Sequence, residues 1–202
     1  RIVFSSNRGG GSQIWTINPD GSGLQQLTPE HRGKNMTYPA WSPDGSRLAY
    51  SGFQDRSTFV MELGKPGAEG PVETLPPTGQ QNSWFQASSW SPDGRRLAGA
   101  RRSVRGSEGI LVYSLDSRRY EHFTEFGSYP RWLSDSRRLV FITFAPSSRS
   151  ALYLLDTRSR KFQELLSVTP NNLSFVAPSP DDRRIYFGVT SIEADVWLMS
   201  VE

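Results

Sequence analysis

The 202-residue sequence contains no cysteine. This excludes disulfides, thiolate metal sites, iron–sulfur clusters and thiol nucleophiles together, and leaves the compartment open. Histidine is nearly absent: only His31 and His122 could act as bases near neutral pH. Lysine is confined to Lys34, Lys65 and Lys161, so almost all of the 23 basic residues are arginine, set against 20 acidic ones for a net charge of +3. So small an excess does not demand a polyanionic partner. No apolar run much exceeds Gly109-Ile110-Leu111-Val112-Tyr113, far short of the ~20 residues of a membrane-spanning helix. No Gly-x-Ser-x-Gly elbow and no phosphate-binding loop is found, since Gly9-Gly10-Gly11 joins two strand patterns without a helix to follow.

What is present is turn chemistry and aromatic residues: 18 Gly, 14 Pro and 12% Phe, Trp and Tyr. That balance points to an all-β protein, and the order comes from repetition. Trp41-Ser42-Pro43-Asp44-Gly45-Ser46-Arg47-Leu48-Ala49-Tyr50 recurs as Trp90-Ser91-Pro92-Asp93-Gly94-Arg95-Arg96-Leu97-Ala98-Gly99. Weaker copies run from Trp132 to Phe141 and from Pro178 to Phe187, and Arg1-Ile2-Val3-Phe4 matches the tail of the motif. Aligned on Ile2, Leu48, Leu97, Leu139 and Ile185, the repeats are spaced by 46, 49, 42 and 46 residues, the length of a four-stranded propeller blade. Within each repeat, strand A ends at the Trp, Ser-Pro-Asp-Gly makes a tight A–B turn, and strand C is a nearly continuous apolar run such as Gln13–Ile17 or Ile110–Tyr113. Strand D is more polar.

The Trp-Ser-Pro-Asp-Gly turn followed by Arg-Leu-Ala-Tyr, together with Ile14-Trp15-Thr16-Ile17-Asn18-Pro19-Asp20-Gly21, resembles the TolB-type β-propeller repeat over essentially the whole chain. The ending Glu193 to Glu202 is similar to the C-terminus of propellers that close bacterial multidomain sensors, kinases or regulators. The resemblance implies a bacterial extracytoplasmic or periplasmic setting, with a cytoplasmic one left open, and an upstream domain in the parent chain. The expected domain is one all-β propeller over 1–202: a partial first repeat 1–28, blades about 37–75, 85–124 and 129–166, and a partial last repeat 174–202. That accounting gives 18 strands. It supplies B, C and D at one end and A, B and C at the other, so further strands are expected from the parent chain.

Asp44, Asp93, Asp135 and Asp181 occupy equivalent turns, where blade rotation keeps them apart. They read as turn caps rather than converging metal or acid–base ligands. Arg95-Arg96, Arg137-Arg138 and Arg183-Arg184 follow these aspartates and read as a locally neutralised, solvated rim. Trp15, Trp41, Trp90, Trp132 and Trp197 recur in phase and read as inter-blade core. His31 beside Glu30 could form an acid–base pair but reads as a hydrated loop histidine, and His122 falls on an outer strand.

The function expected is non-enzymatic recognition of a protein or small ligand, with no cofactor and no metal, through the face carrying the D–A and B–C loops. Candidate contact residues are Asn7, Arg8, His31, Arg32, Gln54, Asp55, Arg56, Trp84, Phe85, Arg101, Arg102, Arg105, Phe126 and Phe144. Of these, Trp84 and Phe85 stand out as aromatics in a long D–A connection, and Arg101, Arg102 and Arg105 as a B–C loop with only Glu108 to balance them. A protein or peptide is preferred as partner over a nucleic acid. A propeller-type hydrolase or lyase domain and a nucleic-acid-binding module remain the alternatives.

Overall fold

A computed structural model describes residues 1–28, 35–64, 69–143, 149–169 and 171–190. Within them are seventeen strands and no helix, in five antiparallel sheets. Sheet I comprises β1 (Ile2–Ser6), β2 (Gln13–Ile17) and β3 (Gln25–Gln26). Sheet II comprises β4 (Met36–Trp41), β5 (Arg47–Gly52), β6 (Ser57–Leu63) and β7 (Glu69–Thr74). Sheet III runs through β8 (Ser83–Trp90), β9 (Arg96–Ser103), β10 (Gly106–Ser114) and β11 (Arg119–His122). Sheet IV holds β12 (Ser128–Trp132), β13 (Arg138–Ile142), β14 (Ser150–Asp156) and β15 (Lys161–Val168), and sheet V holds β16 (Asn172–Pro178) and β17 (Ile185–Thr190). Each sheet is a meander in sequence order, so the sheets are propeller blades in which the expected strands A to D are recovered. The expected strand around Trp197 lies outside the described residues.

The continuous apolar runs are explained by burial on both sheet faces. In β5, Leu48 and Tyr50 pack toward sheet I with Ile14 and Met36, while Ala49 between them packs toward sheet III with Trp90 and Leu97. In β10, Leu111 and Tyr113 join the II–III interface, whereas Ile110 and Val112 meet Phe141 and Leu155 of sheet IV. In β13, Leu139 faces sheet III and Val140 faces Leu173 and Val176 of sheet V. Alternate residues of one strand thus serve two neighbours, and no blade buries its core alone. The inner strands β4, β8, β12 and β16 each carry a register shift at the same phase of the repeat. Tyr38 and Tyr129 sit in two of these bulges at φ of 55° and 54°. Their hydroxyls come within 3.5 Å across sheets II and IV.

The repeated turns do more than reverse the chain. Asp44 Oδ1 accepts from Ser42 Oγ at 2.6 Å and from the Ser46 N–H at 3.1 Å, and the Gly45 N–H donates to Ser42 O. Asp93 and Asp181 repeat the geometry with Ser91 and Ser179. Beyond the turns of sheets II and III an arginine crosses to the next blade, whereas Arg138 of sheet IV pairs with Asp135 of its own turn. Arg47 lies 4.8 Å over the Trp90 ring and donates to Gly94 O, and Arg96 lies 4.7 Å over the Trp132 ring and donates to Ser136 O. Trp90 Nε1 in turn donates to Ala40 O at 2.9 Å, back on sheet II. Arg47 and Arg96 are therefore inter-blade contacts, which corrects the solvated-rim expectation for Arg96. The exposed Arg95 and Arg137 match the rim expectation: Arg137 pairs with Asp156.

Two glycines separate backbone strain from steric contact. Gly94 has φ +72° and a Cβ there would meet only Pro43 at 4.0 Å, whereas at Gly109, φ +121°, a Cβ would lie 1.7 Å from Thr124 O. Gly94→Val is expected to lower unfolding free energy by about 1–3 kcal/mol through φ alone. Gly109→Ala is expected to cost more, because strand β11 must move away from β10. Equilibrium denaturation of both variants checks the order, and equal losses would refute it. A double-mutant cycle on Arg96→Ala and Trp132→Leu is expected to give a coupling of about 1 kcal/mol. A coupling near zero would mean that the stacking carries no inter-blade energy.

Candidate functional site

At the end of the blades opposite the Asp-Gly turns, the β5–β6 hairpin, the β9–β10 hairpin and the first residues of β8 enclose an open cleft. Its volume is about 560 Å³, and Phe53, Gln54, Arg56, Trp84, Arg102, Ser103, Val104 and Gly106 line it. Local backbone chemistry sets these residues in place. Asn82 at φ 58° turns the chain into β8, Arg56 at φ 50° closes one hairpin, and Gly106 at φ +123° closes the other. Trp84 and Arg102 stand directly opposite in the β8–β9 register. From sheet II, the Arg56 guanidinium covers the Trp84 ring at 5.4 Å. Phe53 and Val104 project into solvent at 63% and 73% exposure. The cleft therefore presents an aromatic ring covered by one guanidinium and lined by a second arginine, bounded by two apolar side chains.

Of the sequence candidates, Gln54, Arg56, Trp84 and Arg102 meet here, with Asp55 and Arg105 exposed in the same two hairpin turns. Asn7 and Arg8 belong to another blade, where Arg8 folds back over Phe4 and Trp15 of its own sheet. Trp84 and Phe85 are not loop residues, because β8 begins at Ser83. Alternation along that strand buries Phe85 against Tyr120 at a centroid distance of 5.2 Å. Arg101 and Arg102 likewise belong to β9. Arg101 is 7% exposed, donates to Glu108 O and Glu125 Oε2 at 2.9 Å each, and holds a longer contact to the Glu108 carboxylate. It is an internal strut, not a contact residue. Phe126 is half-buried among Phe141, Tyr153 and Phe162, so it packs blade IV instead of facing a ligand. His31, Arg32 and Phe144 lie outside the described residues.

Phe53 and Val104 were missed by sequence reasoning. The available signal was an apolar residue beside hairpin-turn residues, Phe53 next to Gln54-Asp55 and Val104 next to Arg105-Gly106.

On the opposite face, a second cleft of about 420 Å³ lies between the turns of sheets II and III, among Asp44, Arg47, Asp93, Arg95 and Asp116. Asp44 and Asp93 there are committed to their own turns. The hydroxyls of Ser42 and Ser46 hold the Asp44 carboxyl down at about 2, from an ordinary value of 3.8. The carboxyls of Asp93, Asp135 and Asp181 are also lowered by turn hydrogen bonds. Between blades II and IV, burial and the Tyr38 hydroxyl push Tyr129 up to about 12, an effect that the nearby Arg102 charge opposes. Among the described residues, no three His, Asp or Glu side chains gather as metal ligands, and no helix is long and apolar enough to cross a membrane.

No protein-family profile matches the chain. It is 37% identical over 67 residues to the Tol-Pal system protein TolB of Mannheimia succiniciproducens, covering 32% of this chain and 16% of that protein. It is 23% identical over 223 residues to dipeptidyl-peptidase 5 of Porphyromonas gingivalis, covering all of this chain and 31% of that protein. The chain thus spans less than a third of the length of either relative. Among solved structures, an Agrobacterium tumefaciens protein assigned as TolB superposes with a TM-score of 0.70 at 18% identity, over 94% of this chain and 70% of that one. The repeat is TolB-like in sequence and the fold is that of a β-propeller.

The turn carboxylates predict a pH dependence. A carboxyl lowered in the folded state stabilises fully above its unfolded value, and that contribution is lost as pH falls through the folded value. For Asp44 the window runs from 3.8 down to about 2. NMR titration of its side chain should give a midpoint near 2, moving back toward 3.8 in Ser42→Ala. An unshifted midpoint in the parent protein would contradict the turn geometry.

Proposed function

We propose that the chain is a non-enzymatic recognition module whose five repeats act as one propeller domain and capture a protein or peptide through the loop-face cleft. The observation carrying this reading is the convergence of Arg56, Trp84 and Arg102, from two blades, beside the exposed side chains of Phe53 and Val104. Tryptophan and arginine packed together at the centre of a depression are the residue types that dominate binding energy at protein interfaces.

A second reading is favoured by one observation, the alignment of the whole chain with part of a dipeptidyl-peptidase. On that reading the propeller is the peptide-admitting portion of a hydrolase.

Selection of a random peptide display library on the full chain tests both. Retained peptides should lose binding to Trp84→Ala combined with Arg102→Glu, with the melting temperature held within a few degrees. Arg95→Glu combined with Arg137→Glu, on the turn face, should bind normally. The reverse pattern would move the site to the turn face. Retention only of peptides held by a free terminal amine, lost on N-acetylation, would replace the recognition reading with that of a peptide-admitting portion of a hydrolase.

A further inference from the structure

We infer that the cleft between the β5–β6 and β9–β10 hairpins takes an acidic peptide segment carrying one apolar side chain. This rests on the recognition role proposed above and narrows it to a ligand chemistry. The charge in the cleft is uncompensated by design of its surroundings. Arg101, one residue from Arg102, is neutralised in the interior by Glu108 and Glu125. Arg56, Arg102 and Arg105 form no ion pair with the described residues, and only the Asp55 carboxylate stands in the same turns against them. Guanidinium groups lacking a carboxylate, in a depression with low-dielectric walls, favour a ligand that brings carboxylates, which they can grip in pairs of parallel hydrogen bonds.

The apolar half of the specificity comes from Phe53 and Val104, which leave aliphatic and aromatic surface in water at the rim. Covering that surface contributes favourable transfer free energy only if the ligand carries an apolar group within reach of its carboxylates. Spacing supports this, because Val104 follows Arg102 by two residues and lies beside Arg105 at the turn tip, so charge and apolar contact alternate over one hairpin. A nucleic acid fits less well. Arg56 already occupies a face of the Trp84 ring on which a base would stack, and Asp55 would oppose a phosphate.

Fluorescence anisotropy of the full chain with a short fluorescein-labelled peptide of aspartate and glutamate around a central phenylalanine tests the inference. Three comparison probes are the amide version, the version with alanine for phenylalanine, and a labelled thymidine oligonucleotide. The acidic phenylalanine peptide should bind about tenfold tighter than either altered peptide, and Arg102→Glu should remove that advantage. Val104→Glu, at an exposed turn position where folding is unaffected, should weaken binding about tenfold by repulsion. Equal binding of the amide version, tighter binding of the oligonucleotide, or indifference to Val104→Glu would each overturn the inference. If the acidic peptide fails while library-selected peptides still depend on Trp84, only the ligand class is wrong. If selected peptides ignore Trp84 as well, the recognition site itself is wrong.

Discussion

The structure depends on an arginine laid across the tryptophan of the next blade. A blade with two apolar faces is unstable alone, so what must be specified is how it meets its neighbour, and the Trp-Ser-Pro-Asp-Gly-x-Arg turn does this in one stroke. Serine and aspartate close the turn, the glycine at φ +72° completes it, and the arginine emerges aimed at the adjoining sheet. The stacked guanidinium also donates to a carbonyl of the neighbouring turn, so the turns of sheets II and III each hold the next one in place. The Trp90 indole N–H returns the contact to Ala40 O. At this interface the Trp90 ring and its indole N–H are both engaged across the blades, which a purely apolar packing would leave free to slide.

Because that end of every blade is committed to assembly, variation is concentrated at the other end. The β5–β6 connection has four residues and the β9–β10 connection has two, and neither follows the repeat. Loops there are held by strands locked elsewhere, so their side chains can be chosen for contact with little effect on stability. The cleft is built on this freedom. Trp84 and Arg102 stand on strands of one blade, and Arg56 reaches them from the next.

Repetition made the blades, their strands and their turns legible from sequence, since a pattern that recurs at Leu48, Leu97 and Leu139 carries one meaning three times. The cleft was half legible. Gln54, Arg56, Trp84 and Arg102 could be picked as residues outside the repeat, but their neighbours Phe85 and Arg101 were picked with them. Strand alternation separates the two sets: Trp84 opposes Arg102 at the cleft, and Phe85 opposes Arg101 in the interior. Recognising that Ser83 begins a strand would have made this division. The burial of Arg101 was out of reach, because its partner Glu125 lies 24 residues away and only the β9–β10–β11 pairing brings them together. Arg96 departs from the rim expectation for a related reason: besides its contact to Asp93 it reaches the Trp132 ring and Ser136 O in the next repeat, which local spacing does not show.

The net charge of +3 says little about the cleft, and the geometry shows why. Strand β9 runs eight residues from Arg96 at the turn face to Ser103 beside the cleft, a path of about 23 Å at ~3.3 Å per residue. Ions at physiological strength screen exposed charges beyond about 8 Å. The exposed turn-face arginines Arg95 and Arg137 therefore contribute almost nothing to the field a ligand meets at Trp84. Among the described residues that field comes from Arg56, Arg102, Arg105 and Asp55, with Arg101 cancelled by its own glutamates. Assembly and the proposed recognition use the same residue type at opposite ends of one strand, and the length of the strand keeps the two electrostatically independent.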